Sequence, residues 1–154
     1  MPLQDELGAR MKEFYEEIPK TKLMRRTPVA IRVDGKSFHT FTRGMQRPFD
    51  EILIKTMQQT MQYLCENVQG TVMGYCQSDE ITLLLIDYKK FSSAAFFDYE
   101  VQKMCSIAAS MATMAFNKFF RENVENSQTE DEKYRFALEK AEQRGAMFDA
   151  RCFN

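Results

Sequence analysis

The sequence predicts an α+β domain of the ferredoxin-like type, βαββαβ, in which an antiparallel sheet carries its helices on one face. Three observations support this fold class. Apolar segments of strand length occur near residues 29–34, 71–86 and 146–153, two long helical patterns separate them, and a short polar break divides the middle segment. The 154 residues are enough for one domain with a sizeable core.

The first strand is predicted from the segment VAIRVD, which follows Pro28 and ends at Asp34. Its apolar side chains alternate with other residues, as in a half-buried strand. The first long helix is predicted to begin after Asp50, a residue type that caps helix N-termini, and to end before Gly70. Its apolar stripe consists of Leu53, Met57, Met61, Leu64 and Val68.

The second half of the chain contains a hairpin, a long helix and a last strand. TVMGYCQ and ITLLLI flank Ser78-Asp79-Glu80, and so short a polar break between apolar runs predicts a hairpin. A helix is predicted from about Ser92 to Phe120. Its expected inner face consists of Phe97, Val101, Met104, Ala108, Met111, Ala115 and Phe119. Residues 121–133 are almost wholly polar and predict an exposed loop or helix end, and 133–144 predict a helix before the last strand, AMFDARCF.

Composition places the chain among ordinary globular proteins, with 44% hydrophobic and 28% charged residues and a net charge of -1. No apolar run has the length of a membrane helix, so no membrane partner is expected. The four cysteines are scattered, which argues against a zinc site or a disulfide framework and favours buried thiols in a reducing cytoplasm. The near-zero charge gives no electrostatic case for nucleic-acid binding, and the basic segment KTKLMRR is typical of a solvated loop.

The predicted topology brings two distant aspartates together. In this fold the first and third strands are neighbours, so Asp34 would lie beside the hairpin that carries Asp79. Gly35-Lys36-Ser37 also resembles the tail of a phosphate-binding P-loop. A P-loop would need a glycine at residue 30, which is alanine, so this interpretation is excluded.

A magnesium site is the better interpretation of the two aspartates. Mg²⁺ keeps several waters and takes one or two protein carboxylates together with substrate phosphate oxygens. Gly35 lets the backbone approach closely, so its carbonyl is a candidate third ligand, and Glu80 could join or orient the set. Two ions there would align an attacking hydroxyl with a leaving phosphate. The alternative from the residues alone is structural, because Asp and Ser are ordinary turn residues.

RVDGKSFHTF followed by YCQSDEITLLL resembles the tRNA-His guanylyltransferase family, particularly its guanylyltransferase-like members that repair 5′-truncated tRNA. QKMCSIAASMAT in the long helix is a further likeness, and the resemblance runs from about Arg10 to the end. It implies a polymerase-like palm that adds nucleotides in the 3′-to-5′ direction. A 5′-monophosphate end is activated with ATP, and the 3′-hydroxyl of an incoming nucleotide, such as GTP, then displaces AMP. A 5′-triphosphate end needs no activation.

The resemblance also implies roles for individual residues. Asp34 and Asp79 would be the catalytic carboxylates and would hold two Mg²⁺ ions with Gly35 and Glu80. The implied nucleotide-binding residues are Arg32, Lys36, Ser37, Phe38, His39, Arg47, Ser78 and Lys103. Implied partners are a tRNA substrate, ATP and GTP or other nucleoside triphosphates, and further copies of the chain in a homotetramer.

Two departures from the family pattern shape the expectation. A His-x-x-Asn type motif and a C-terminal part that binds tRNA and builds the tetramer are absent, so 1–154 is expected to be a palm-like catalytic domain without that region. Glu100 stands where eukaryotic members tend to be basic, which favours the repair-type branch.

Two other functions stay open from the sequence. A palm enzyme of the nucleotide-cyclase type would make a cyclic nucleotide from a nucleoside triphosphate without RNA. A non-catalytic nucleotide- or RNA-binding module would bind nucleotide with metal but release no pyrophosphate.

Overall fold

The computed structural model describes residues 5–154 and contains one four-stranded antiparallel sheet in the order β2-β3-β1-β4. The strands are β1 (Val29–Gly35), β2 (Thr71–Gln77), β3 (Glu80–Leu85) and β4 (Phe148–Phe153). Every neighbouring pair is antiparallel. This strand order is that of the ferredoxin-like fold, so the predicted fold class is confirmed.

The helices are α1 (Glu6–Met11), α2 (Phe38–Phe41), α3 (Glu51–Asn67), α4 (Val101–Glu125) and α5 (Glu132–Arg144). A π-helical turn, Lys12–Glu16, continues α1, and a 3₁₀ turn, Phe96–Tyr99, precedes α4. No helix among residues 5–154 is long and apolar enough to cross a membrane.

One face of the sheet forms the hydrophobic core with α3 and α4. Side chains at alternate positions of β1 and β3 are completely buried there, namely Val29, Ile31, Val33, Ile81, Leu83 and Leu85. Met57 and Leu64 of α3 and Val68 directly after it are buried as predicted, and Leu53 and Met61 are partly buried. The predicted cap is confirmed, because the Asp50 carboxylate accepts a hydrogen bond of 3.0 Å from the Leu53 amide.

The second long helix begins later and ends later than predicted. It starts at Val101, and Phe97 lies before it with φ 46° and 38% exposure, so its predicted place on the inner helical face is wrong. The segment instead bonds to the N-terminal part of the chain, because Asp98 accepts hydrogen bonds from Lys22 and Arg25. At its other end α4 runs through Glu125 into the predicted polar stretch.

The basic segment KTKLMRR is a structural clamp, not a free basic patch. The Asp87 side chain is completely buried, and it accepts hydrogen bonds from the Arg25 side chain at 2.7 Å and the Arg26 amide at 2.8 Å. Burial alone would raise the pKa of Asp87, but these bonds outweigh it and hold that pKa below its usual value. The clamp fixes the segment before β1 to the chain that follows β3.

Candidate active site at the end of β1

The end of β1 lies against the β2–β3 hairpin, as the topology predicts. Asp34 pairs with Glu80 across the two strands, and the Gly35 amide donates a hydrogen bond of 3.0 Å to the Asp79 carbonyl. Ser78 has a left-handed φ of 56°, which makes the hairpin turn tight, and its hydroxyl donates to the Asp79 carboxylate at 3.1 Å. Backbone contacts therefore bring the two aspartates together.

Negative charge accumulates around Asp34. Partial burial raises the pKa of Asp34, and the nearby carboxylates of Asp79, Asp149 and Glu80 raise it further. Arg151 acts in the opposite direction but does not cancel the effect. Such a cluster of carboxylates favours a bound cation, because the cation would offset the repulsion between them.

The donor set suits a hard divalent cation that keeps its own waters. Within residues 5–154, no three acidic, histidine or cysteine side chains converge into a ready-made metal cage. Glu80 is held by Arg32 at 2.9 Å, so the remaining candidate oxygen donors are the Asp34 and Asp79 carboxylates and the Gly35 carbonyl, with Asp149 paired beside Asp34. Two carboxylates completed by water and substrate phosphate are the arrangement in which Mg²⁺ is usually bound.

Gly35 is required for a reason that the sequence did not reveal. A Cβ atom at this position would lie 2.3 Å from the Phe38 ring. Phe38 is buried and packs against Phe41, Phe116 and Phe148 in an aromatic cluster. The absence of a side chain at Gly35 thus lets α2 fold tightly onto the end of β1.

A tight turn after Gly35 connects β1 to α2. The Lys36 amide donates to the Met147 carbonyl at 2.8 Å, and Ser37 has a left-handed φ of 54°. The first amides of α2 that donate hydrogen bonds within the helix are those of Thr40 and Phe41, both to the Ser37 carbonyl. Ser37 and His39 are exposed. Phe38 is mostly buried in the aromatic cluster, and it also lines the cavity beside Asp79.

A cavity of about 620 Å³ opens beside Asp79. It is lined by Phe38, Thr42, Met45, Gln46, Arg47, Pro48, Asp50, Leu53, Ser78 and Asp79. Asp50 forms a fixed wall, because its buried carboxylate accepts hydrogen bonds from the amides of Gln46 and Leu53 and from the Tyr134 hydroxyl. Asp79 and Ser78 connect the cavity with the carboxylate cluster.

A second cavity of about 620 Å³ adjoins the first between α3 and β2. The two share Pro48, Asp50, Leu53 and Ser78, and the second is lined mainly by apolar side chains such as Met57 and Met61. Together they offer an apolar recess next to charged groups, which is the usual character of a small-molecule site.

The open face of the sheet adds residues that the sequence analysis missed. Asp149 pairs with Asp34, and Arg151 pairs with Arg32 one row further along. Facing residues of an antiparallel pair project to the same side, so Asp149 and Arg151 extend the carboxylate and arginine rows. The sequence feature that could have revealed both residues is the alternation within FDARCF. Phe148, Ala150 and Cys152 turn to the core, and the residues between them do not.

Lys103 is not brought together with the aspartates. It lies two residues before Cys105, which contacts Cys152, and Cys152 pairs with Ile31 near the start of β1. The Lys103 ammonium stands 5.1 Å from the centre of the Phe97 ring. Lys103 thus lies towards the other end of the sheet, while Arg32, Arg47 and Ser78 belong to the surroundings of the aspartates.

Comparisons with known proteins agree on one family. Residues 8–154 match the profile described as tRNAHis guanylyltransferase. An uncharacterised protein of Acanthamoeba polyphaga mimivirus is 32% identical over 97% of this chain and 52% of its own length.

Solved structures agree with this match. A bacterial tRNA-His guanylyltransferase-like protein in complex with GTP is 37% identical with a TM-score of 0.78, over 95% of this chain and 62% of that one. A bacterial protein of the same description in complex with ATP gives the same identity and TM-score over 95% of this chain and 57% of that one. The chain therefore spans between about half and two thirds of the length of these relatives.

Proposed function

Because the chain belongs to the tRNA-His guanylyltransferase family, we propose that it is the catalytic palm of a nucleotidyltransferase that adds nucleotides in the 3′-to-5′ direction to the 5′ end of tRNA. One observation carries this proposal above all. The backbone bond between Gly35 and Asp79 ties the end of β1, which carries Asp34, to the hairpin whose Asp79 lines a cavity of about 620 Å³.

The cavity beside Asp79 would receive the nucleobase and ribose of ATP or GTP. Its walls combine the apolar surfaces of Met45 and Leu53 with the polar edge of Gln46. Arg47 lines the same cavity and would neutralise triphosphate charge. The exposed residues Lys36, Ser37 and His39 of the turn after Gly35 would contact the triphosphate as well. The bacterial relatives solved with GTP and with ATP support the choice of ligand.

Asp34, Asp79 and the Gly35 carbonyl would hold two Mg²⁺ ions. Such ions supply charge neutralisation and in-line alignment of the attacking hydroxyl and the phosphate. Asp79 is kept in position by the Ser78 hydroxyl and by its own carbonyl, and Glu80 orients Arg32 towards the open face. Arg32 and Arg151 would meet the phosphates of the RNA 5′ end, since they occupy the row next to the carboxylates. Assembly into a homo-oligomer stays a prediction from the resemblance.

The test is incorporation of labelled nucleoside triphosphates, each in turn, into a tRNA that lacks its 5′ nucleotide. One substrate carries a 5′-monophosphate and is given Mg²⁺ and ATP, and the other carries a 5′-triphosphate without ATP. We expect addition by the wild type, and a loss of roughly a thousandfold or more in Asp79→Ala. Glu139→Gln is the control, because Glu139 is an exposed carboxylate on α5.

The outcomes separate the three functions. Nucleotide addition that Asp79→Ala abolishes and Glu139→Gln retains supports the proposal. A cyclic nucleotide formed from triphosphate alone would indicate a cyclase. Metal-dependent nucleotide binding without release of pyrophosphate would indicate a binding module, and equal activity of Asp79→Ala would contradict the assigned site.

A further inference from the structure

Two cysteine sulfurs meet outside the candidate active site. Cys105 lies on α4 and Cys152 on β4, and their Sγ atoms are 3.3 Å apart although the residues are 47 positions apart in the sequence. All four cysteines are free thiols, and both members of this pair are half-buried. The other two, Cys65 and Cys76, lie on α3 and β2.

We propose that Cys105 and Cys152 are a redox modification site, at which a small-molecule disulfide such as oxidised glutathione closes an intramolecular disulfide between α4 and β4. The proposal does not depend on the proposed function. It rests on the sulfur contact and on the rigid packing of the two elements that carry the thiols.

Hydrogen bonds fix the two elements that carry the pair against each other. Further along the same two elements, Asn117 on α4 bonds to both backbone groups of Ala146 at 2.8 Å. The Phe148 amide also donates to the Thr113 hydroxyl at 3.2 Å. A disulfide bond is about 2.05 Å long, so closing it from 3.3 Å requires the sulfurs to approach by roughly 1.3 Å. Side-chain rotation can supply such a movement with α4 and β4 in place.

The chemistry balances as two thiol–disulfide exchanges. Cys105 as a thiolate attacks one glutathione sulfur, the glutathione disulfide bond breaks, and one glutathione thiolate leaves. Cys152 as a thiolate then attacks the Cys105 sulfur and releases the second glutathione. The protein loses two protons and two electrons, and oxidised glutathione becomes two thiols. Burial, with the neighbouring Cys105, raises the pKa of Cys152, which disfavours Cys152 as the first nucleophile.

The disulfide would secure an edge strand. Among residues 5–154, β4 pairs with β1 alone, and it carries Asp149 and Arg151 on the open face. A link from Cys152 to α4 closes a long loop, which reduces the freedom of the unfolded chain and stabilises the folded one. For a protein of this size we expect the thermal unfolding midpoint to rise by roughly 5–10 °C.

The experiment compares the full chain kept reduced with a phosphine and the chain treated with oxidised glutathione. We expect an intact mass lower by two hydrogen atoms, a peptide linked through Cys105 and Cys152, and a raised thermal midpoint. The double variant Cys65→Ser/Cys76→Ser should behave in the same way. Cys105→Ser and Cys152→Ser should each show no linked peptide and no oxidation-dependent rise.

Other results would overturn the inference. These are stable glutathione adducts without a link between Cys105 and Cys152, a link that involves Cys65 or Cys76 instead, or a linked product whose midpoint is unchanged. Peptide mapping of the wild type alone decides the first two, so the test holds even if a serine variant fails to fold.

Discussion

The Gly35 amide donates a hydrogen bond of 3.0 Å to the carbonyl oxygen of Asp79. The bond ties the end of β1 to the β2–β3 hairpin at the point where each contributes a carboxylate. Because it is made by the backbone, the spacing of Asp34 and Asp79 is set by the fold and not by flexible side chains. In the proposed cation site, the backbone that carries both carboxylates is therefore in place before a cation or substrate binds.

Gly35→Ala should distort this junction. The new Cβ would lie 2.3 Å from the buried Phe38 ring, so either the ring or the end of β1 must move. We expect the free energy of unfolding, measured with urea, to fall by roughly 1–3 kcal/mol. The same change in a Phe38→Leu background should cost less, because the ring is gone. Equal costs in both backgrounds would contradict the assigned clash.

Asp34→Asn should stabilise the metal-free protein while it removes activity. The pKa of Asp34 is raised above its usual value of 3.8 by burial and neighbouring carboxylates. The stability that this group contributes is therefore present at pH values below 3.8 and is lost as the pH rises through the folded pKa. In a chelating buffer at pH 7 the variant should unfold at a higher temperature than the wild type, and the difference should shrink near pH 3.8. A lower midpoint at pH 7 would contradict this account.

Asp87→Asn should destabilise the protein at pH 7, whereas Asp34→Asn should stabilise it. The pKa of Asp87 is lowered below 3.8, so its contribution is present above that value and is lost as the pH falls through the folded pKa. At pH 7 we expect the free energy of unfolding to fall by about 1.5–3 kcal/mol, because a buried charge-assisted bond to Arg25 is weakened. Asp98→Asn is the control, since Asp98 is exposed and its ion pairs should contribute less than about 1 kcal/mol. Equal losses in the two variants would show that burial does not set the strength of the clamp.

Arg47→Met should weaken nucleotide binding without affecting the fold. Arg47 lines the cavity beside Asp79, and methionine keeps much of its apolar stem without the charge. A charge-assisted hydrogen bond contributes about 1.5–3 kcal/mol, so the dissociation constant for GTP, measured by calorimetry, should rise roughly tenfold or more. Arg43→Met is the matched control, because Arg43 is exposed and does not line the cavity. If both substitutions had the same effect, the cavity would not be the triphosphate site.

Sequence periodicity was sufficient for the strands, their order and the meeting of Asp34 with Asp79, because alternation and short breaks reflect local backbone geometry. The start of α4 could not be read in this way. Bonds from Lys22 and Arg25 to Asp98 cross the fold and hold Phe97 outside the helix. Contacts of this kind depend on the tertiary structure and leave no periodic signal in the sequence.

The candidate site, too, was predictable from the sequence only in part. A pair of aspartates at strand ends predicts a metal site, but the walls of the cavity come from residues 38–53 folded against the hairpin, and this packing has no sequence motif. Asp149 and Arg151 could have been predicted from the sequence, because alternation in the last strand and its place beside β1 put them on the open face. The 3.3 Å contact between Cys105 and Cys152 depends on helix packing, so it could not be predicted from the sequence.

The central claim is that Asp34 and Asp79 hold divalent cations next to a bound nucleotide, and Mn²⁺ binding tests it most directly. Mn²⁺ is titrated as a stand-in for Mg²⁺ into the GTP-bound wild type, Asp79→Asn and Glu139→Gln, and bound Mn²⁺ is counted by electron paramagnetic resonance. We predict that the wild type and Glu139→Gln bind the same number of Mn²⁺ ions and that Asp79→Asn binds fewer or binds them more weakly. Equal number and affinity in Asp79→Asn would contradict the claim.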